Sequence, residues 1–364
     1  MADYYVKTTG SDTTGDGSVG NPYATPGKAL GVAILAGTGW RIFVEAGTYP
    51  ITTTTQNIAS GRLNFTQAGT QSVWNRMIGH AVGDITTIAQ FTLSVSAGIT
   101  AGAITTGAAI PHCSVENFIV TGNATAGAKA ITAAGKTHCR NFTVSGFTGG
   151  GGSLVSQESS SIISDFSINC GSGVANTTGL IMTSTSYAIN GVVFGNAGPG
   201  ISVQANAQLV NVKSYGHTGA SGYGFRCAGT SSIIFRNCIA ANNGADNFFL
   251  LDGNQTAQLF GCIADGGSAY SFGNNSATDS MALIRCAAKA GSSGLYPVTP
   301  SILESFSTLS VSPFVNAATG DFRLTDEAKT TLYAAGMDFP TSWLQSLGGG
   351  GVQLIGSSLI GRAF

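Results

Sequence analysis

The sequence predicts an all-β protein, a parallel β-helix of about 24 residues per coil with a helix over its N-terminal end. Three observations lead there. A short segment recurs eight times, its apolar positions repeat in fixed columns, and a residue suited to a left-handed backbone usually stands at its centre. The centres are Asn117, Asn141, Asp165, Gly191, Asn211, Asn237, Gly261 and Arg285. They are 24, 24, 26, 20, 26, 24 and 24 residues apart, a spacing typical of solenoids.

Two apolar columns require a bend in every segment. Two places before the centre stand Val115, Cys139, Ile163, Ile189, Leu209, Phe235, Leu259 and Leu283. One place after it stand Phe118, Phe142, Phe166, Val192, Val212, Cys238, Cys262 and Cys286. Residues three apart on a straight strand point to opposite faces, so both columns reach one core only if the chain turns between them. Asn, Asp and Gly are the residue types that make such a left-handed turn most readily. A sandwich of short strands would not produce this column identity.

Stacked coils bring equivalent side chains together. The corner asparagines are expected to pair their amides along the stack. Glu116 and Arg140 occupy one place in adjacent coils, as do Asp265 and Lys289, and we expect exposed cross-coil pairs worth under about 1 kcal/mol each. Cys238, Cys262 and Cys286 share an inward column, which predicts buried, reduced thiols.

The N-terminal residues predict a strand, a turn-rich loop and a helix. Thr25 is suited to the N-cap of that helix and Pro26 to its first turn. A helix at this place would cover the open end of the core. The predicted divisions are residues 1–46 for this region, 47–311 for the coils, 312–340 for a closing segment, and 341–364 for a glycine-rich joint with an apolar tail.

Asp12, Asp16 and Gly17 match three places of a calcium-binding EF-hand loop. The template also requires a ligand at its third place and a glutamate at its twelfth, where this chain has Thr14 and Tyr23. Asp12 and Asp16 are therefore weak metal candidates, and we interpret them as turn formers. The sequence predicts no bound metal and no cofactor.

Composition excludes several classes of protein. Charged residues make up 9% of the chain, the net charge is −1, and no basic cluster suggests binding to nucleic acid. No stretch has the roughly 20 apolar residues of a membrane span. The segment after Met1 lacks the apolar core of a secretory signal, which predicts folding in a cytosol.

Both ends of the chain resemble one family. The Gly-Ser-Asp loop at 10–12, the Asn-Pro-Tyr-Ala-Thr helix start at 21–25, and the Val-x-Ala-Gly-Thr-Tyr strand end at 44–49 resemble right-handed parallel β-helix proteins of the pectate-lyase-like superfamily. The segment 312–324, SPFVNAATGDFRL, looks like the closing segment of the same family. The resemblance implies a right-handed coil. It leaves the function open, because the superfamily includes polysaccharide lyases, hydrolases, epimerases and non-catalytic phage spikes.

An enzyme on this scaffold would need grouped carboxylates, as an acid and base pair about 5 to 9.5 Å apart or as calcium ligands. No two carboxylates of the repeats share a column in neighbouring coils. The best catalytic candidates are Asp246, Asp252 and Asp265 together with Arg285. His217, in the segment YGHTG, is the only other candidate, and we interpret it as a histidine in a surface loop.

The C-terminal tail, residues 341–364, predicts a contact within the chain or with a neighbouring subunit. Four glycines precede a short apolar segment, too short to span a membrane, that is expected to cover the last coil or to dock on a neighbouring subunit. Its apolar residues are Val352, Leu354, Ile355, Leu359, Ile360 and Phe364.

These features favour a structural protein of a bacteriophage virion. It would be a head-decoration, fibre or spike component that folds in the host cytoplasm, forms a homotrimer, binds other virion proteins through the tail and contacts a host surface glycan. The alternatives are a polysaccharide lyase or hydrolase (a depolymerase) and a non-catalytic carbohydrate-binding adhesin.

Overall fold

The computed structural model describes residues 1–334 except 38, 108–109, 124, 172–176, 196–197, 230–231 and 298–299. The tail predicted to dock, from Val352 to Phe364, lies outside the described residues. In the described part, two mainly parallel sheets wind into a solenoid of about nine turns. The prediction of a parallel β-helix is confirmed.

The larger sheet has nineteen strands among the described residues. Numbered along the chain, they are β1 (Ala2–Val6), β2 (Trp40–Glu45), β3 (Thr48–Ile51), β5 (Asn75–Ala81), β6 (Asp84–Ile88), β7 (Phe91–Val95), β9 (Cys113–Thr121), β11 (Thr137–Ser145), β13 (Ile162–Asn169), β15 (Ser186–Phe194), β17 (Ala207–Tyr215), β19 (Ser232–Arg236), β20 (Ile239–Ala241), β22 (Thr256–Phe260), β23 (Ile263–Asp265), β25 (Ser280–Ile284), β26 (Ala287–Lys289), β27 (Ile302–Glu304) and β28 (Ser307–Leu309). This sheet bends at the corner residues, so each coil contributes two straight segments to it, one on either side of the corner. We call these segments the first and second arms of the coil.

The smaller sheet supplies the third arm. Its strands are β4 (Leu63–Phe65), β8 (Ile104–Thr106), β10 (Ile131–Ala133), β12 (Gly152–Gln157), β14 (Thr177–Met182), β16 (Ile201–Val203), β18 (Phe225–Cys227), β21 (Phe248–Leu250) and β24 (Phe272–Asn274). The core lies between the two sheets, and equivalent side chains of successive coils stack in it in register. Phe118, Phe142 and Phe166 stack with centroids 5.2 and 5.7 Å apart.

The corners have the predicted left-handed backbone. Asn117, Asn141, Asn211 and Asn237 have φ between 51° and 61°. The amide ladder is also present, because Asn141 Nδ2 donates to Asn117 Oδ1 (2.9 Å) and Asn211 Nδ2 donates to Asn190 Oδ1 (2.9 Å). Side-chain bonds therefore hold adjacent coils together at the position where the backbone turns.

The fourth segment corrects the predicted alignment by one residue. Its corner is Asn190, with φ 52°, rather than Gly191. Strand pairing places Ala188 against Ile163 and Gly191 against Phe166, so Ala188 and Gly191 face inward. Ile189 and Val192, the predicted core residues of this segment, are only partly buried. The reason is steric, since a Cβ at Gly191 would overlap the Phe166 ring.

The N-terminal helix is present as α1 (Pro26–Ala36). Thr25 caps it as predicted, because its Oγ1 accepts a bond from the Lys28 backbone N–H (3.3 Å). Ala29, Leu30 and Ala33 are buried, and the helix contacts β1, β2 and β4. That α1 closes the end of the core stays a prediction.

The segment after the coils folds back along their side. Strands β29 (Phe314–Asn316) and β30 (Asp321–Leu324) form an antiparallel hairpin around a short 3-10 helix (Ala317–Thr319), and α2 (Asp326–Ala334) follows. Phe314, Phe322 and Leu324 pack on Ile239 and Ile263, which point outward from β20 and β23. This second core leaves a groove beside the hairpin. Neither described helix is long and apolar enough to cross a membrane.

The predicted charge pairs lie in register but do not form as predicted. Asp265 stands opposite Lys289, but it is buried, so the prediction of an exposed pair there is wrong. The other pair exchanges partners. Arg140 is opposite Glu116 in the pairing of β9 and β11. Glu116 is instead bound by Arg76 of the preceding coil (2.9 Å), and Arg140 lies 3.5 Å from Asp165 of the next coil. These pairs are partly exposed and contribute little to stability.

Candidate ligand-binding groove

A groove of about 770 Å³ lies between the coils and the hairpin. Turns that follow the second arms form one wall, and the hairpin forms the other. Its lining residues are Thr218, Asn242, Asn243, Gly244, Asp265, Gly266, Gly267, Ser268, Lys289, Ala290, Ser312, Phe314, Val315, Asn316, Ala317 and Ala318. Most of its polar groups are amides and hydroxyls, which both donate and accept hydrogen bonds.

Asp265 is the central charged group of the groove. It ends β23, is 3% exposed, and stands opposite Lys289 in the strand pairing. Ser312 Oγ donates to Asp265 Oδ2 (2.5 Å). Burial raises the pKa of the Asp265 carboxyl, whereas the Ser312 hydroxyl and the nearby Lys289 ammonium lower it. Carboxyl groups with shifted pKa values cluster at functional sites, which makes Asp265 the candidate functional group of this groove.

His217 corrects the prediction of a surface-loop histidine, because it is fully buried. Its Nε2 lies 3.0 Å from the buried Ser214 Oγ. The ring fits beside Gly200, where a Cβ would overlap it. Burial lowers the pKa of His217 to about 3, so the imidazole is neutral. Asn243 Oδ1 accepts the His217 backbone N–H (3.3 Å), and Asn243 lines the groove, so this histidine supports the groove from beneath.

The other catalytic candidates are not brought together. Asp252 is exposed in the turn after β21, where its Oδ2 accepts the Gly229 backbone N–H (2.7 Å). Arg285 is exposed at a corner with φ 53°. Asp246 lies just before β21 and accepts the Tyr270 backbone N–H (2.6 Å). Of the five predicted residues, Asp265 alone lines the groove.

The weak metal candidates make bonds within their own loop. Asp12 Oδ1 accepts the backbone N–H of Ala24 (2.8 Å), and its Oδ2 accepts the Thr25 hydroxyl (2.6 Å). Asp16 accepts the Ser18 backbone N–H (2.8 Å). Across the described residues, no three His, Cys, Asp or Glu side chains group closely enough to hold a metal. Asp12 therefore ties the loop to the start of α1.

A smaller cleft of about 430 Å³ lies on the outer face of the larger sheet, beside Trp74 and His138. Its charges neutralise one another, since Arg41 pairs with Asp3 (2.7 Å) and Arg76 with Glu116 (2.9 Å). Burial lowers the pKa of His138. This cleft has less capacity for a charged ligand than the larger groove, because its cations are already paired.

Cys238, Cys262 and Cys286 occupy the predicted inward column as buried free thiols. Burial raises the pKa of the Cys262 thiol well above its usual range. Such thiols are poor nucleophiles, because the reactive form is the thiolate.

The groove has residues that sequence reasoning missed. Lys289 was assigned to the column of Asp265, but Ser312 is 47 residues from Asp265 in sequence and reaches it only because the hairpin folds back. No local pattern marks that contact. Asn243 was missed because its role depends on the buried His217.

Several solved structures are similar to this chain. One is a pectate lyase, Pel9A (TM-score 0.59, 12% identity, covering 96% of this chain and 90% of that chain). Another is a rhamnogalacturonan lyase (TM-score 0.56, 13% identity, covering 92% and 99%). A third is the GH136 lacto-N-biosidase from Eubacterium ramulus (TM-score 0.52, 9% identity, covering 85% and 67%). The fold is a right-handed parallel β-helix, as in these structures.

At these identities the likeness concerns the β-helix fold alone. No protein-family model and no curated protein matches the sequence. What this β-helix does has to be inferred from its own side chains.

Proposed function

We propose that the protein binds a carbohydrate, without cleaving it, in the groove around Asp265 and Lys289. The observation that carries this proposal is the lining of the groove. One carboxylate and one ammonium stand among amides and hydroxyls, and the exposed Val315 adds apolar surface. Such a set can satisfy the alternating hydroxyls and C–H faces of a sugar. The similar structures support the ligand class, because two are named as a pectate lyase and a rhamnogalacturonan lyase.

The same groove argues against hydrolysis. Glycosidases generally use two carboxyl groups on either side of the scissile bond, about 5 to 9.5 Å apart. Asp265 is the single carboxylate among the described lining residues. Its partner Ser312 and the neighbouring Lys289 can orient a bound hydroxyl but do not supply a second carboxylate.

Calorimetric titration of the full chain with polygalacturonate, dextran and laminarin tests the proposal. Asp265→Asn and Lys289→Ala are each expected to weaken binding about tenfold or more, because each removes a charged hydrogen-bonding partner. Arg140→Ala is the matched control, since it removes a partly exposed cation that lies outside the groove and should leave affinity unchanged.

Two results would overturn this function. The first is the absence of binding to every polysaccharide in the panel. The second is cleavage, detected as new reducing ends or unsaturated products, that Asp265→Asn abolishes. That result would establish the depolymerase alternative.

A second candidate function is a structural role on the surface of a bacteriophage particle, where the groove would meet a host glycan. The apolar segment that follows four glycines near the C-terminus favours it, because such a segment can dock on a neighbouring subunit. Light scattering of the full chain is expected to give a homotrimer that is lost when residues 352–364 are deleted. A monomer at every concentration would exclude this role.

A further inference from the structure

A pair of aromatic rings stands on the outer face of the smaller sheet. Phe249 is the middle residue of β21, and it points outward because Phe248 and Leu250 are buried in the core. Tyr223, just before β18, stacks on it with centroids 4.7 Å apart and planes 9° apart. Both rings are half-buried, so part of each ring is in contact with solvent.

Charged groups flank this aromatic pair. Asp246 lies against Phe249 over Gly273, where an added Cβ would overlap the Asp246 carboxylate. Its Oδ1 accepts the Tyr270 backbone N–H. Burial raises the pKa of the Tyr223 hydroxyl, Asp246 raises it further, and Arg226 lowers it, so both charges act on that hydroxyl. Arg226 is the outward residue of β18.

The aromatic pair and the groove share one turn. Gly244 lines the groove, and Asp246 is only two residues further along the chain, which spans at most about 7 Å. Asn243 Nδ2 donates to Asn247 Oδ1 (2.8 Å), and both residues are buried. The turn from 242 to 249 is thus held by a buried side-chain bond, with the groove at one end and the rings at the other.

We propose that Tyr223 and Phe249, with Asp246 and Arg226, form an extension of the groove that takes the apolar face of a pyranose ring. The ligand is then an oligosaccharide long enough to cross the 242–249 turn, rather than a single sugar. The exposed parts of the two stacked rings offer the C–H face of a sugar a rigid apolar surface, and the flanking carboxylate and guanidinium are placed to meet its hydroxyls. This inference rests on the proposed function and names the size and path of its ligand.

The experiment compares sugars of two lengths. The first titrations show which of polygalacturonate, dextran and laminarin binds. The monosaccharide and long oligosaccharides of that polysaccharide are then titrated into the full chain. Phe249→Ala and Tyr223→Ala are expected to weaken binding of the long oligosaccharide about tenfold, or about 1.4 kcal/mol. Affinity for the monosaccharide should stay within about twofold, because the groove around Asp265 is unchanged.

Tyr5→Ala is the matched control, because it removes a half-buried ring from another stacked outward pair, with Phe43 (5.4 Å). It should leave both affinities unchanged. Arg226→Ala tests the same surface without removing a ring, should either aromatic variant fail to fold.

The outcomes separate the two proposals. In one outcome, Asp265→Asn weakens binding, but the folded variants of the extension, Phe249→Ala, Tyr223→Ala and Arg226→Ala, bind the long oligosaccharide as the parent does. That outcome supports sugar binding in the groove and shows that the proposed extension is wrong. If no polysaccharide in the panel binds, both are wrong. Equal affinity of the parent for the monosaccharide and the long oligosaccharide also overturns the extension.

Discussion

Replacing Phe142 with alanine is expected to lower the free energy of unfolding by about 3 to 5 kcal/mol, the cost of deleting a large ring from a packed core. The ring is 1% exposed and lies between Phe118 and Phe166, 5.2 and 5.7 Å away. Both neighbours would lose a stacking partner, and a solenoid depends on contacts between adjacent coils. Urea unfolding followed by circular dichroism measures the change.

Phe260→Ala is the control for this prediction. Phe260 is half-buried on the outer face, where the Arg236 guanidinium lies 4.6 Å from its ring centre. Its loss should cost only about 1 kcal/mol. Equal losses in the two variants would contradict the assignment of Phe142 to the stacked core.

Acid is expected to destabilise the protein through His217, by up to about 4 kcal/mol between pH 6.5 and 3. Burial lowers the pKa of this histidine to about 3 in the folded chain, whereas an unfolded histidine titrates near its ordinary value of about 6.5. Between these two pH values, His217 is protonated in the unfolded chain and neutral in the folded chain. The contribution of His217 to the free energy of unfolding is therefore complete above about pH 6.5 and is lost as the pH falls toward 3.

Thermal melting between pH 3 and 7 tests this effect in His217→Gln, which should show a flatter pH dependence than the parent. His112→Asn is the control, because His112 is only half-buried and its left-handed backbone suits asparagine. Burial raises the pKa of Asp246 and Asp265, so their contributions fall as the pH rises above about 4 and oppose that of His217. An unchanged pH dependence in His217→Gln would contradict the buried neutral imidazole.

The coils could be predicted because their side chains repeat in columns. Asn117, Asn141 and Phe142 repeat both in type and in spacing, which fixes the bend and the inward face together. The fourth coil was misaligned because hydrophobicity cannot distinguish an inward residue from an outward β-branched one. Only the volume of the Phe166 ring selects Gly191 for the core position.

The groove could be predicted only in part. Asp265 and Lys289 share a column, so their proximity follows from the repeat. The contact with Ser312 depends on the path of the folded-back hairpin, which the repeat does not encode. His217 was misplaced because a glycine-rich turn gives no hydrophobic signal for burial, and the space beside Gly200 exists only in three dimensions.

The hairpin limits how this protein can change in length during evolution. Coils before β17 are related by a simple repeat, so a whole coil can be gained or lost there with the asparagine ladder intact. From Tyr215 onward, the side chains of the hairpin are matched to successive coils, with Phe322 against Tyr215 (5.0 Å) and Phe314 in the same apolar cluster as Ala287. An insertion between these coils would move Asp265 away from Ser312. Length variants among related sequences should therefore cluster in the N-terminal half of the solenoid.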